Sequence, residues 1–363
     1  MIENEGYPVE VHSVITDDGY LLTIHRIPGS PESTPIFLQH GLMASSFDWV
    51  IGGKKRFALA FLLADQGYDV WMGNARGNIY SRCHIYYAPS QSEFWDFSWQ
   101  EMGLYDLPAA IDYIAETTNQ NVTYVGHSMG TTMFFVMAIE RPDIASKINI
   151  MFGLSPIVYM SNSRSPLRFI APYIEFFKTF MDLVGIEYHL QHKELMYTTA
   201  LMKLIFNVGC TLLDQQICFD IIFYLVGYNP VQFDRDLLPD ILSHNILAGI
   251  STKTLAHYAQ EANTGKFSYY DYGKFSNRQI YKNIDPPDFD ISKIQVPIGI
   301  LWSQNDLLAD PQDVQKFYEK LPMGIFNHKV SDGNFSHIDF ILAKNAYDEV
   351  YKILIEAIEN FTK

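Results

Sequence analysis

Short apolar runs alternate with stretches of helical spacing along most of this chain, and that alternation limits the possible folds more than any other feature. The runs 36–38, 68–72, 122–126, 148–154, 298–302 and 326–330 read as strands. Between them, helices are expected over about 54–66, 98–116 and 129–140, from Pro311 onward, and over 338–361; in the second, Leu104, Leu107, Ile111 and Ile114 recur at three and four residues. Parallel strands cannot be joined by tight turns and use helical crossovers, so this order predicts an α/β protein with a mainly parallel sheet covered by helices on both faces. An antiparallel start is expected at 9–15 and 20–27, where Asp17-Asp18-Gly19 supplies turn chemistry.

The alternation stops between about 156 and 287, where helical segments rich in Phe, Tyr, Met, Leu and Ile take over. The 363 residues therefore divide into a core over 1–155 and 291–363, with a helical cap inserted at 156–290. With 48% apolar and 18% charged residues, the chain has ample material for a large core. A net charge of -15 argues against nucleic-acid backbones or strongly anionic membranes as partners and favours a neutral substrate. The apolar run 217–226 is about ten residues long and contains Asp220, far short of the roughly 20 needed to cross a bilayer. The residues 1–6 carry neither a basic leader nor an apolar run, which on its own reads as cytosolic.

Cys83 is isolated, whereas Cys210 and Cys218 are eight residues apart. On a continuous helix their Cα atoms would be about 12 Å apart, too far for a disulfide, so a bond there requires a bent segment. Sequons at Asn121, Asn334 and Asn360 matter only if the chain is secreted. His189 and His192 lack a convincing third ligand, and neither a metal nor a cofactor is expected.

The candidate chemistry centres on Gly126-His127-Ser128-Met129-Gly130. As a bare pattern it is weak, but here a strand precedes it and a helix follows, the setting of a nucleophile elbow in the α/β-hydrolase fold. The sharp turn strains the backbone at Ser128, and side chains at 126 or 130 would collide with the adjoining strand and helix. A serine hydroxyl needs an imidazole to take its proton and a carboxylate to orient that imidazole, and in this fold the chain order is Ser, acid, His. Asp306, just after the strand ending at Trp302, and His337, before the last helix, are the expected partners. Asp310 and Asp313 look like helix caps, and His328 falls inside a strand. The backbone N–H groups of Met129 and Leu42 are the expected donors to a tetrahedral oxyanion. His40 and His127 read as structural, and the apolar stretch 169–233 suits an acyl-chain pocket or a movable lid.

Beyond these sites, several strings resemble the acid lipase family, which includes gastric and lysosomal acid lipases. They are Gly6-Tyr7-Pro8, Leu38-Gln39-His40-Gly41-Leu42, Gly73-Asn74-Ala75-Arg76-Gly77-Asn78, Phe94-Trp95-Asp96-Phe97-Ser98-Trp99, Asn305-Asp306-Leu307-Leu308-Ala309-Asp310 and His337-Ile338-Asp339-Phe340. The resemblance implies hydrolysis of triacylglycerols or sterol esters at a lipid–water interface, a helical cap with a lid, secretion or delivery to lysosomes, and a disulfide joining Cys210 to Cys218. Met129 stands where family members commonly carry Gln; a backbone donor survives that change. Two other readings are weighed against a lipase: a carboxylesterase for smaller soluble esters, and an inactive lipid carrier of the same fold, which the complete trio argues against. An aspartate-nucleophile hydrolase is disfavoured because serine occupies the elbow.

Overall fold

The computed structural model describes residues 1–166, 168–169, 224, 226–227, 229–237, 241 and 248–362. The first hairpin closes where Gly19 takes a φ of 98°, letting its N–H reach the Thr16 carbonyl at 2.9 Å. It joins β1 (Glu10–Ile15) to β2 (Tyr20–Ile27) in antiparallel register. The remaining strands are β3 (Pro35–Gln39), β4 (Asp69–Met72), β5 (Cys83–His84), β6 (Val122–His127), β7 (Ile148–Leu154), β8 (Ile298–Trp302) and β9 (Gly324–Lys329). They form one sheet in the order β1-β2-β4-β3-β6-β7-β8-β9, with β5 pairing β2. From β4 to β9 every neighbouring pair is parallel.

Alternation along these strands feeds two separate cores. Phe37, Trp71 and Tyr124 face helices α2 (Leu107–Thr118), α3 (Met129–Glu140) and α5 (Pro311–Tyr318). On the opposite face Leu38, Met72, Val125 and Phe152 pack with α1 (Leu59–Asp65) and α6 (Lys352–Thr362). The strands thus bury both faces, which is why they read as near-continuous apolar runs. The mainly parallel sheet covered by helices on both faces, expected from the alternation, is the one observed.

Three helices differ from expectation. The first is confined to Leu59–Asp65, because Gly53 and Phe57 adopt φ values of 63° and 56° and break the spiral before it. The second begins at Ser98 with a capping box closed by Glu101, then widens into a π turn at Met102–Asp106 before α2. Pro108 has no N–H to give the carbonyl four residues back, which favours that wider turn. The last is split: Asp339–Leu342 is a short helix, and the chain becomes helical again only at Tyr347. Across the gap, Ala343 bridges to Phe233 and the Lys344 N–H donates to the Gln232 carbonyl at 2.9 Å, so a distant segment takes backbone groups the helix would have used.

Part of the 156–290 region is described. Its helix α4 (Thr252–Thr264) lies against α3, with the Tyr258 and Thr132 hydroxyls 3.0 Å apart. Lys253 is buried and bonds Asp96 at 2.9 Å, while His257 stacks on Trp99 with ring centres 3.7 Å apart. Among the described residues, no helix is long and apolar enough to cross a membrane.

Candidate active site

Because β6 and β8 are parallel and separated only by β7, the loops leaving their carboxyl ends emerge at one edge of the sheet. Ser128 stands at the first of these exits, with φ 53° and ψ −118°, between the end of β6 and the start of α3. Glycine is required at 130: a Cβ there would lie 2.5 Å from the Gln39 carbonyl oxygen. At 126 a Cβ would come within 2.9 Å of the Gly130 carbonyl carbon, so the elbow closes only with both glycines.

The structure brings Ser128, His337 and Asp306 into one hydrogen-bonded chain. Ser128 Oγ lies 2.8 Å from His337 Nε2, and His337 Nδ1 lies 2.9 Å from Asp306 Oδ2 and 3.1 Å from Oδ1. All three are buried, with exposures of 4%, 4% and 0% for Ser128, His337 and Asp306, so water does not compete for these bonds. Asp306 Oδ1 also accepts the backbone N–H groups of Leu308 and Ala309 at 2.9 and 2.8 Å. Arg164 secures the same loop by donating to the carbonyls of Asp306 and Gln304, both at 2.9 Å. The rival carboxylates are engaged elsewhere. Asp310 caps α5 through the Gln312 N–H and binds Arg164, while Asp313 accepts from Ser161 and Asn162. His328 lies within β9.

Of the two expected oxyanion donors, Met129 heads α3, where an N–H has no carbonyl four residues earlier to bond within the helix. Leu42 follows Gly41, which presses against the elbow: a Cβ on Gly41 would sit 3.1 Å from Ser128 Cβ. His40 shapes this loop. Its Nδ1–H donates to the Gly41 carbonyl at 2.8 Å, and its Nε2 accepts the Ala75 N–H at 3.1 Å. Burial pushes His40 down to about 4, and burial with the neighbouring His337 imidazole pushes His127 down to about 3, so both rings are neutral. Neutral His127 donates from Nε2 to the His337 carbonyl at 3.0 Å, tying the main chain of His337 to the residue before Ser128.

Sequence reasoning passed over three contributors. Thr131 Oγ1 donates to the Ser128 carbonyl at 2.6 Å. Asp339 accepts from the Ser336 N–H at 2.6 Å and from Asn229 Nδ2 at 2.7 Å, bracing the His337 loop. Ser155, one residue past β7, contacts both Asp306 and His337; its place at the carboxyl end of the strand between β6 and β8 was the available signal. Cys210, Cys218, His189 and His192 lie outside the described residues. Among the described residues, no group of three or more His, Cys, Asp or Glu side chains is arranged to hold a metal.

The partial α/β-hydrolase lipase region matches residues 1–53, and the α/β hydrolase fold family matches residues 34–344. Lipase 3 of Drosophila melanogaster is 39% identical over 99% of this chain and 92% of its own length. Human gastric triacylglycerol lipase is 37% identical over 100% of this chain and 91% of its own. Among solved structures, an epoxide hydrolase from Vigna radiata superposes with a TM-score of 0.54 at 16% identity, covering 97% of this chain and 98% of that one, a likeness of fold alone. The chain belongs to the α/β hydrolase fold family and, within it, to the lipases, enzymes that hydrolyse carboxylic esters.

Proposed function

We propose that Ser128, His337 and Asp306 are the catalytic triad of this lipase and that its substrates are neutral lipid esters, triacylglycerols or sterol esters. The observation that carries the reading is the unbroken chain of contacts from Ser128 Oγ through His337 to Asp306. In the first half-reaction Ser128 Oγ attacks the ester carbonyl carbon while His337 Nε2 takes its proton. The N–H groups of Met129 and Leu42 hold the resulting oxyanion. The imidazolium then returns the proton to the departing alcohol oxygen, leaving an acyl group on Ser128. Water attacks that acyl group, giving a proton to Nε2, which passes it to Ser128 Oγ as the fatty acid leaves. Asp306 stays ionised throughout and holds the Nδ1–H, so that Nε2 is the free base.

A helical cap over 156–290 supplies the acyl-chain pocket and lid in this reading. The names of the relatives support a lipid substrate, since one is called a triacylglycerol lipase; the extracellular or lysosomal setting rests on the resemblance to the acid lipase family. Hydrolysis of emulsified triolein and cholesteryl oleate, measured beside a soluble short-chain ester, tests the proposal. The long-chain emulsions should be preferred. A clear preference for the soluble ester would make the enzyme a carboxylesterase instead.

A further inference from the structure

Ser155 is fully buried one residue beyond β7, and its φ of 51° places a side-chain-bearing residue in the left-handed region. Its own N–H donates to the Leu301 carbonyl at 2.8 Å, fixing it to β8. From there Ser155 Oγ donates to Asp306 Oδ2 and lies 2.6 Å from His337 Nδ1. The imidazole N–H thus faces three oxygens, and Ser155 Oγ is nearer than either carboxylate oxygen, at 2.9 and 3.1 Å. Asp306 Oδ1 already takes two backbone N–H groups, which leaves Oδ2 to be shared between the serine and the histidine. A hydroxyl both donates and accepts. Here it can give its hydrogen to Oδ2 and accept the Nδ1–H with a lone pair. A serine that merely satisfied a buried carboxylate would need no contact with Nδ1.

We propose that Ser155 is a positioning residue of the ester hydrolysis: its hydroxyl is a second acceptor for His337 Nδ1–H and keeps Nε2 free as the base alongside Asp306. This rests on the triad assignment. A double-mutant cycle separates the two ideas, read with a soluble activated ester so that interfacial binding does not enter. Ser155→Ala should lower kcat roughly tenfold with KM unchanged, and should shift the low-field proton resonance of His337 Nδ1–H. Ser155→Gly relieves the left-handed backbone, so its Tm should hold or rise while kcat falls, a divergence that a purely structural serine would not produce. In an Asp306→Asn background, Ser155→Ala should cost at least another tenfold, because the remaining acceptor is then removed. If Asp306→Asn is severely impaired but Ser155→Ala adds nothing to it, or if the Nδ1–H resonance stays in place in Ser155→Ala, the role given to Ser155 is wrong and the triad stands. Near-parent turnover in Asp306→Asn would instead overturn the triad, and the role of Ser155 with it.

Discussion

On the nucleophile's side of the site the backbone sets the geometry; on the acid–base side, side chains do. Ser128 is placed by a strand, a helix and two glycines whose missing Cβ atoms let the turn close against Gln39 and against itself. Asp306 and His337 stand on loops, held by Arg164, His127 and the Asn229–Asp339 contact, partners far away in sequence. The first kind of positioning is coupled to folding, because the elbow cannot form unless the sheet does. The second can be loosened while the sheet stays intact. Damage on the nucleophile's side should therefore appear as lost stability, and damage on the other side as lost turnover.

The largest expected effect is chemical. Asp306→Asn should reduce kcat by about 10⁴-fold, as removal of the orienting carboxylate does in serine hydrolases, while Asp310→Asn, which weakens a helix cap on Gln312 and the contact to Arg164, should cost no more than the roughly tenfold expected of losing Arg164. Steady-state kinetics on the two variants compare them directly, and the reverse outcome would move the acid to position 310. Next is Gly130→Ala: its Cβ has only 2.5 Å to the Gln39 oxygen, a backbone atom that must shift. Overpacking of this sort costs about 1–3 kcal/mol, to be read from urea unfolding. A stable Gly130→Ala with low turnover would break the proposed division between the two sides.

Arg164→Ala should do the opposite. It frees the carbonyls of Gln304 and Asp306 and should lower kcat by roughly tenfold, equivalent to about 1.4 kcal/mol of barrier, with little change in Tm because Arg164 is half-exposed. The smallest effect is in the pH dependence of stability. Burial raises the Asp339 carboxyl to about 6, above its ordinary value near 4. A raised folded-state value means that this group's contribution is fully present below about pH 4 and is lost as pH rises through about 6. Going from pH 7 to pH 5 should therefore gain about 1 kcal/mol from this carboxyl alone, a gain that Asp339→Asn removes. Unfolding curves at the two pH values measure the difference, and identical pH responses in the parent and the variant would remove Asp339 from the account.

The same division decides what can be read from sequence. The elbow is legible because strand, glycine, serine, glycine and helix follow one another within a few residues, and the carboxyl-end positions of Asp306 and His337 follow from the strand order. The brace around them is not legible locally. Ser155 meets Asp306 and His337 across 151 and 182 residues of chain; its place at the carboxyl end of β7 puts it at the right edge of the sheet, but nothing in the neighbouring residues names those two partners. The final helix breaks at Ala343 because Gln232 and Phe233 pair there, and nothing in residues 338–361 records that partner. The π turn before α2 had a local cue in Pro108, but helical apolar spacing runs straight through it.

The two neutral imidazoles flanking the elbow bear on how this molecule fails in acid. His40 and His127 titrate only near 4 and 3 when folded, against about 6.5 in an unfolded chain. Their contribution to stability is complete above about 6.5 and drains away as pH falls toward those lower values, because the unfolded state takes up protons that the folded state refuses. Over that span the bonds they make do not change. Acidification thus erodes the reserve holding the protein together while the bonds made by His40 and His127 are still in place, so these two rings favour abrupt acid unfolding over a gradual slackening around the elbow.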